Sequence, residues 1–262
     1  MLARVEPFWS WHTPIAWTGF ILFADGWIWK RRGESPIKND RAEIAFMALA
    51  SIPLWIVFEL YNKHTFWNWH YVGLPQTLLL RYVGYAWAFA TIVPAILITA
   101  ELVGALRDRR APAYRRAEPA TIPLDAVAWA AIVAGAAMLI LPIVYPSPWM
   151  AAPVWLGFMF LLDPINAWLG AESLRGDLGA GHFDRLKNLL ISGLACGLLW
   201  ECWNYWARTK WVYTVPVPPD IKLFEMPLAG YLGFPAFAVE CFVLYVFVRQ
   251  CVWRGSWRPT AL

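Results

Sequence analysis

Residues 58–71 read FELYNKHTFWNWHY, and residues 200–213 read WECWNYWARTKWVY. One gapless register pairs Glu59 with Glu201, Asn62 with Asn204, Trp69 with Trp211 and Tyr71 with Tyr213. Apolar residues recur by chance in such segments, but polar residues in a shared register point to an internal repeat. Upstream, residues 17–25 (WTGFILFAD) and 155–163 (WLGFMFLLD) pair Trp17 with Trp155, Gly19 with Gly157 and Asp25 with Asp163. The loops that follow end in Asp40-Arg41 and Asp184-Arg185. Third segments match only through Gly84-Tyr85 and Gly230-Tyr231. The chain therefore reads as two three-segment repeats, residues 1–110 and 148–262. Residues 111–147 join them, as a cytoplasmic loop and one linker segment.

The medium follows from composition. Hydrophobic residues make up 60% of the chain and charged residues only 15%, against roughly 25% charged in a soluble domain. Seven apolar runs approach the roughly 20 residues that cross a hydrocarbon core: Trp9–Trp29, Ile44–Asn62, Tyr82–Leu106, Val127–Tyr145, Met150–Leu169, Asn188–Ala207 and Met226–Val248. Isolated spans satisfy their backbone hydrogen bonds in lipid only as helices. The expected fold is all-α integral membrane: seven transmembrane helices as two parallel three-helix repeats joined by a linker helix, a 3+1+3 plan known from some transporters. No segment remains for a soluble catalytic domain. The stretch MLARVEPFWSWH lacks the basic start and cleavage site of a signal peptide, so the first span is expected to stay.

Loop charge predicts orientation. Sixteen Lys and Arg follow odd-numbered spans, among them Lys30, Arg31, Arg32, Arg109, Arg110, Arg115, Arg116, Arg254 and Arg258. Six lie on the other side: Arg4, Lys63, Arg81, Arg208, Lys210 and Lys222. The positive-inside rule then places the N-terminus outside and the C-terminus in the cytoplasm, with a bacterial inner membrane as the expected location. The net charge of +4 reflects those loops and implies no nucleic-acid partner. Cys196, Cys202, Cys241 and Cys251 sit in or beside apolar runs without CxxC spacing and read as packing residues. His12, His64, His70 and His182 show no ligand spacing, so no metal is expected. With no Walker loop, dinucleotide fingerprint or nucleophile elbow, no cofactor is implied.

Acids inside spans are costly and turn toward the bundle interior. Glu59 and Glu201 fall in the outer parts of their spans, with Asn62 and Asn204 at i+3 on the same face. One reading makes the pair proton donors that the amides orient; the other makes them interhelical clamps. Repeat geometry predicts that the two carboxyls face a shared axis, within roughly 15 Å of each other. Asp163 and Glu240 share a depth in the inner half. There they would share a proton, bind a cation from Arg185 or Lys187, or form a protonated structural pair. Trp69, Tyr71, Trp200, Trp203, Trp211 and Tyr213 are candidate ligand-binding rings. The alternative for them is an interfacial belt, as for most of the nineteen Trp.

Residues 198–245 contain Trp200-Glu201, then Trp211 and Tyr213, then Met226-Pro227-Leu228. This resembles the integral-membrane lycopene cyclase domain of carotenoid synthesis, which has a W-D/E helix end, an aromatic loop and a P-x-E-E motif opening the next helix. The two glutamates of that motif fall here on Ala229 and Gly230. The resemblance implies redox-neutral, acid-catalysed isoprenoid cyclisation, in which Glu59, Glu201, Asn62 and Asn204 would be the catalytic group. The missing pair instead favours a cyclase-like protein that binds an isoprenoid, pigment, quinone or membrane lipid, or serves among other membrane subunits. A small-solute carrier is the third expectation.

Overall fold

The computed structural model describes residues 5–107, 121–216 and 221–252. The loop charges at Arg4, Arg109, Arg110, Arg115, Arg116, Arg254 and Arg258, with Pro218 and Pro219, lie outside the described residues.

The chain is mostly helical. Its elements run α1 (His12–Arg32), α2 (Pro36–Asn39), α3 (Arg41–Tyr61), strand β1 (Trp69–Val72), α4 (Leu78–Ala90), α5 (Ile92–Arg107) and α6 (Ala126–Val144). They continue with α7 (Ala151–Trp168), α8 (Leu174–Gly179), α9 (Asp184–Trp206), β2 (Lys210–Tyr213), β3 (Lys222–Leu223), β4 (Met226–Pro227) and α10 (Gly233–Val252). Five helical stretches are long and apolar enough to cross a membrane: Arg41–Phe66, Leu78–Arg107, Ala126–Val144, Pro148–Trp168 and Leu228–Val252. Helices α1 and α9 are as long, at 21 and 23 residues, but carry more polar groups. Polar residues of α9's C-terminal half turn inward; Glu201 and Asn204 have no exposed surface.

Local chemistry sets the element boundaries. Helix α1 stops at Gly33, whose φ of 77° is left-handed and whose N–H reaches Trp29 O at 2.8 Å. Asp40 caps α3 through Glu43 N at 3.0 Å, and Asp125 caps α6 through Ala128 N at 2.8 Å. The Ala128 N–H holds the Asp125 carboxyl below the usual carboxylate range. Pro94 cannot donate to the preceding turn, and the third apolar run breaks there into α4 and α5. Buried Ser51 patches the break, donating to Phe89 O at 2.5 Å and accepting from Val93 N at 3.1 Å. The seventh run, expected as helix from Met226, begins with a 3-10 turn at Leu228–Leu232 and is α-helical from Gly233. Met226-Pro227 pairs instead with Lys222-Leu223 as a short hairpin.

Residues 92–101 of α5 and 237–246 of α10 form the buried centre of the bundle, with Ile96, Leu97, Val243 and Tyr245 almost wholly enclosed. Helix α5 packs on α1 and α9, and α10 on α7 and α9. Helix α6 packs chiefly on α7, where a Cβ on Gly135 would stand 2.4 Å from Leu161 N. One end of the bundle gathers the ion pairs Arg32–Glu101, Arg107–Asp184, Arg185–Asp177 and Arg249–Glu172. The opposite end carries β1 and β2, which pair antiparallel with Trp69 opposite Tyr213 and Tyr71 opposite Trp211. A half-turn about the His70–Val212 pair exchanges the two strands.

Candidate functional site

The site is built on the ribbon. Helix α3 ends in a π-helical turn, Asn62–Phe66, and Trp67 then takes φ 52° to send the chain into β1. The side chain of Asn62 closes that bend. Its Nδ2 donates to Trp69 O at 2.8 Å, and its Oδ1 accepts from Asn68 N at 2.7 Å and Trp69 N at 3.1 Å. Asn204 does the same for β2: Nδ2 donates to Trp211 O at 2.9 Å and Oδ1 accepts from Trp211 N at 3.0 Å. An amide side chain carries both halves of a peptide group, so it substitutes for a neighbouring strand. Both Asn residues are thus spent on strand backbone, and the structure gives neither a hydrogen bond to its glutamate.

The ribbon in turn holds the carboxyls. Glu59 Oε1 accepts from Tyr71 OH at 2.5 Å, Trp55 Nε1 at 2.8 Å and Trp69 Nε1 at 3.3 Å. Glu201 Oε1 accepts from Tyr213 OH at 2.7 Å, and that hydroxyl accepts from Trp211 Nε1 at 2.8 Å. Glu59 is half-buried; Glu201 is fully buried, and its Oε2 has no hydrogen-bond partner. Both acids sit at one end of the bundle, each tied to one strand of the same ribbon.

Beneath the ribbon lies a cavity of about 520 Å³. Its wall takes matched residues from the two halves: Trp17 and Trp155, Trp69 and Trp211, Tyr71 and Tyr213. The ring contacts cross between halves in the same way. Trp17 meets Trp200 edge-on at 5.5 Å, and Trp155 stacks on Phe58 at 5.0 Å and 11°. Phe237 of α10 touches Trp55, Trp155 and Trp200 across the middle. Trp203 lies behind the wall, 4.7 Å from the Trp17 ring. The other five candidate rings line the cavity. Neither Glu59 nor Glu201 does; the phenols and indoles stand between them and the space. Sequence reasoning missed Trp17, Trp55, Trp155 and Phe237. The Trp17–Trp155 match in the repeat was the signal for two of them.

Ala229 and Gly230, where the resemblance expects glutamates, also line this wall. A Cβ on Gly230 would sit 2.3 Å from Met226 Sδ, so a longer side chain there requires Met226 to move.

Asp163 and Glu240 are not joined. Asp163 accepts from Leu174 N at 2.7 Å and Arg175 N at 2.8 Å, anchoring the start of α8. Asp25 anchors α2 likewise, through Ser35 Oγ and Ile37 N, both at 2.8 Å. Glu240 accepts from Phe158 N at 3.2 Å inside the bundle. Arg185 pairs with Asp177 at 2.7 Å, and the Lys187 ammonium lies 5.9 Å from the Phe183 ring centre. Asp163→Ala leaves two N–H groups of a helix start unpaired, one buried and one partly buried. It is expected to cost about 3 kcal/mol, read as a fall in the detergent-unfolding midpoint. An unchanged midpoint would contradict the anchoring role.

No family model matches the chain, and neither a curated protein nor a solved structure is similar to it.

Proposed function

We propose that this chain crosses the membrane seven times and binds one long apolar ligand of the isoprenoid, pigment or quinone type in the cavity under the ribbon. In this reading the spans are α1, α3, α4–α5, α6, α7, α9 and α10. They form two parallel three-helix repeats, with α6 as linker and the ribbon end outside, in a bacterial inner membrane. Support for the repeat comes from matched detail: Asn62 and Asn204 on strand backbone, Asp25 and Asp163 on helix starts, and first helices whose rings meet the second helix of the other half. Support for the orientation comes from the positive loops and from the clustering of ion pairs at one end.

The observation that carries ligand binding is the cavity itself. Its volume falls in the range of roughly 300–1,000 Å³ usual for small-molecule sites. Its walls are indole and phenyl faces, which suit a flat or polyene chain by dispersion and stacking. Mass spectrometry of the apolar extract from purified protein tests the reading. A single isoprenoid-class compound is expected at near-stoichiometric yield in wild type. A ligand-free extract, together with no quenching of tryptophan fluorescence by added isoprenoids, would sink it.

One observation favours a second reading, resembling the lycopene cyclases. The Glu201–Tyr213 pair connects a fully buried carboxyl to a phenol on the cavity wall. With Glu201 protonated, its O–H would donate to the Tyr213 oxygen as the phenol O–H passes its proton to an alkene in the cavity. Loss of a proton from the resulting carbocation would restore the pair. Product analysis in a lycopene-accumulating host, with wild type and Glu201→Gln, decides it: a new cyclic product lost in the variant supports catalysis, and no product supports binding alone. Standing between carboxyl and cavity, the phenol makes binding the better-supported of the two.

A further inference from the structure

The cavity wall reaches the surface beside the start of α4. Leu80 lines that wall and is 45% exposed, and Pro75 and Arg81 line it next to Leu80. Trp11, just before α1, flanks the opening, its indole Nε1 3.0 Å from where a Cβ on Gly84 would stand.

Among the described residues the wall carries two cations. Lys210 is paired with Glu225. Arg81 meets no carboxylate; its Nε and Nη2 both donate to Pro75 O, at 3.1 and 2.9 Å. Those two nitrogens share one edge of the guanidinium, so Pro75 fixes its orientation. The other edge, Nη1 with the second hydrogen of Nη2, keeps two parallel N–H groups, and its Nη1 is not enclosed. Such a fork grips a carboxylate or phosphate through two oxygens. The one acid near this opening is already engaged: Glu6 accepts from Ser10 Oγ at 2.7 Å and pairs with Arg208 at 3.1 Å.

The charge belongs to one half only. The register that matches Gly84 with Gly230 puts Pro227 at the place of Arg81. A cavity with aromatic walls and an unpaired cation at one mouth suits a ligand with one anionic end. A neutral pigment or quinone would leave the fork to water.

We infer that the ligand is an anionic isoprenoid, its chain in the aromatic cavity and a single phosphate or carboxylate on the free edge of Arg81. One cation balances one negative charge, which fits a monoanion better than a diphosphate. The inference rests on the ligand-binding reading of the cavity and gives that ligand its head group.

The test titrates geranylgeraniol, geranylgeranyl phosphate and geranylgeranoic acid by tryptophan quenching against purified protein in one non-ionic detergent. Wild type, Arg81→Gln, Arg81→Lys and Lys222→Gln are measured, and the readout is the affinity ratio of the tighter anion to the alcohol. Partition into micelles is common to all four proteins and cancels when their ratios are compared. Wild type is expected to exceed Arg81→Gln in that ratio by about tenfold, the lower range for hydrogen bonds to a charged group. Arg81→Lys keeps the charge and loses the fork, so a loss of about threefold is expected there; it carries the test where Arg81→Gln fails to fold. Lys222 is exposed and off the wall, and its variant should match wild type. A ratio unmoved in Arg81→Lys and in every folded Arg81→Gln sample, or lowered equally in Lys222→Gln, overturns the head-group assignment while leaving the cavity reading intact. Displacement of the bound anion by phosphatidylglycerol but not by phosphatidylcholine would hand Arg81 to phospholipid head groups and overturn it too. Failure of wild type to bind any of the three compounds overturns both readings.

Discussion

Replacing Asn62 with alanine is expected to destabilise the protein by about 3 kcal/mol or more, through three buried hydrogen bonds at roughly 1 kcal/mol each and the orphaned strand groups left behind. The reason is geometric. Asn62 holds the π-helical turn after α3 to the start of β1, through the backbone of Asn68 and Trp69. Without it the ring of Trp69, which contacts Trp55 and Trp155, loses its backbone anchor. Asn62→Asp keeps the acceptor and loses the donor, so about a third of the effect is expected. Denaturation of the two variants in mixed micelles measures this. A loss below about 1 kcal/mol for Asn62→Ala would show that the ribbon stands without its amide brace.

The second large effect is expected at Trp200. Its ring meets Trp17, Trp55, Trp211 and Phe237 and is 9% exposed. Trp200→Ala removes a large aromatic from the wall, and about 3–5 kcal/mol of stability should go with it. The enlarged cavity should also bind isoprenoids more weakly, because the chain loses a flat contact surface. Trp200→Phe has a precedent within the molecule: Phe58 occupies the matched position and stacks on Trp155. That variant should lose less than about 1.5 kcal/mol. Equal losses for the alanine and phenylalanine variants would contradict the packing account.

The helices were legible because their signal is long and redundant: twenty apolar residues leave little else possible in lipid. Finer polar features were harder. The spacing of Glu59 and Asn62 puts both on one face of a continuous helix, yet Asn62 sits where α3 ends, and a helix end leaves unpaired backbone nearby. The amide serves that need first, which spacing within the helix cannot reveal. The ribbon was missed because each strand has only four residues. The β-forming run Trp69-His70-Tyr71-Val72 and its match Lys210-Trp211-Val212-Tyr213 read equally well as interfacial aromatics. Asp163 and Glu240 looked paired by depth alone. Depth says nothing of rotation about the helix axis, and the structure sends them to different neighbours, α8 and α7. The hairpin at Met226-Pro227 was hidden by an apolar run that continues unbroken into α10.

The ribbon has one further consequence. Its pairing partners come from residues 69–72 and 210–213, so no stretch of chain between them is needed to close it. A half-turn about His70 and Val212 maps each strand onto the other, which is the arrangement two separate copies of a three-helix unit would adopt on meeting. On the two-repeat reading proposed above, the junction between the halves is a dimer interface fused into a single polypeptide. A gene cut after α5 should yield two fragments that find each other again when co-expressed. On that reading, fusion lets matched positions differ even at the axis: a homodimer would face a residue with itself, whereas here a histidine faces a valine.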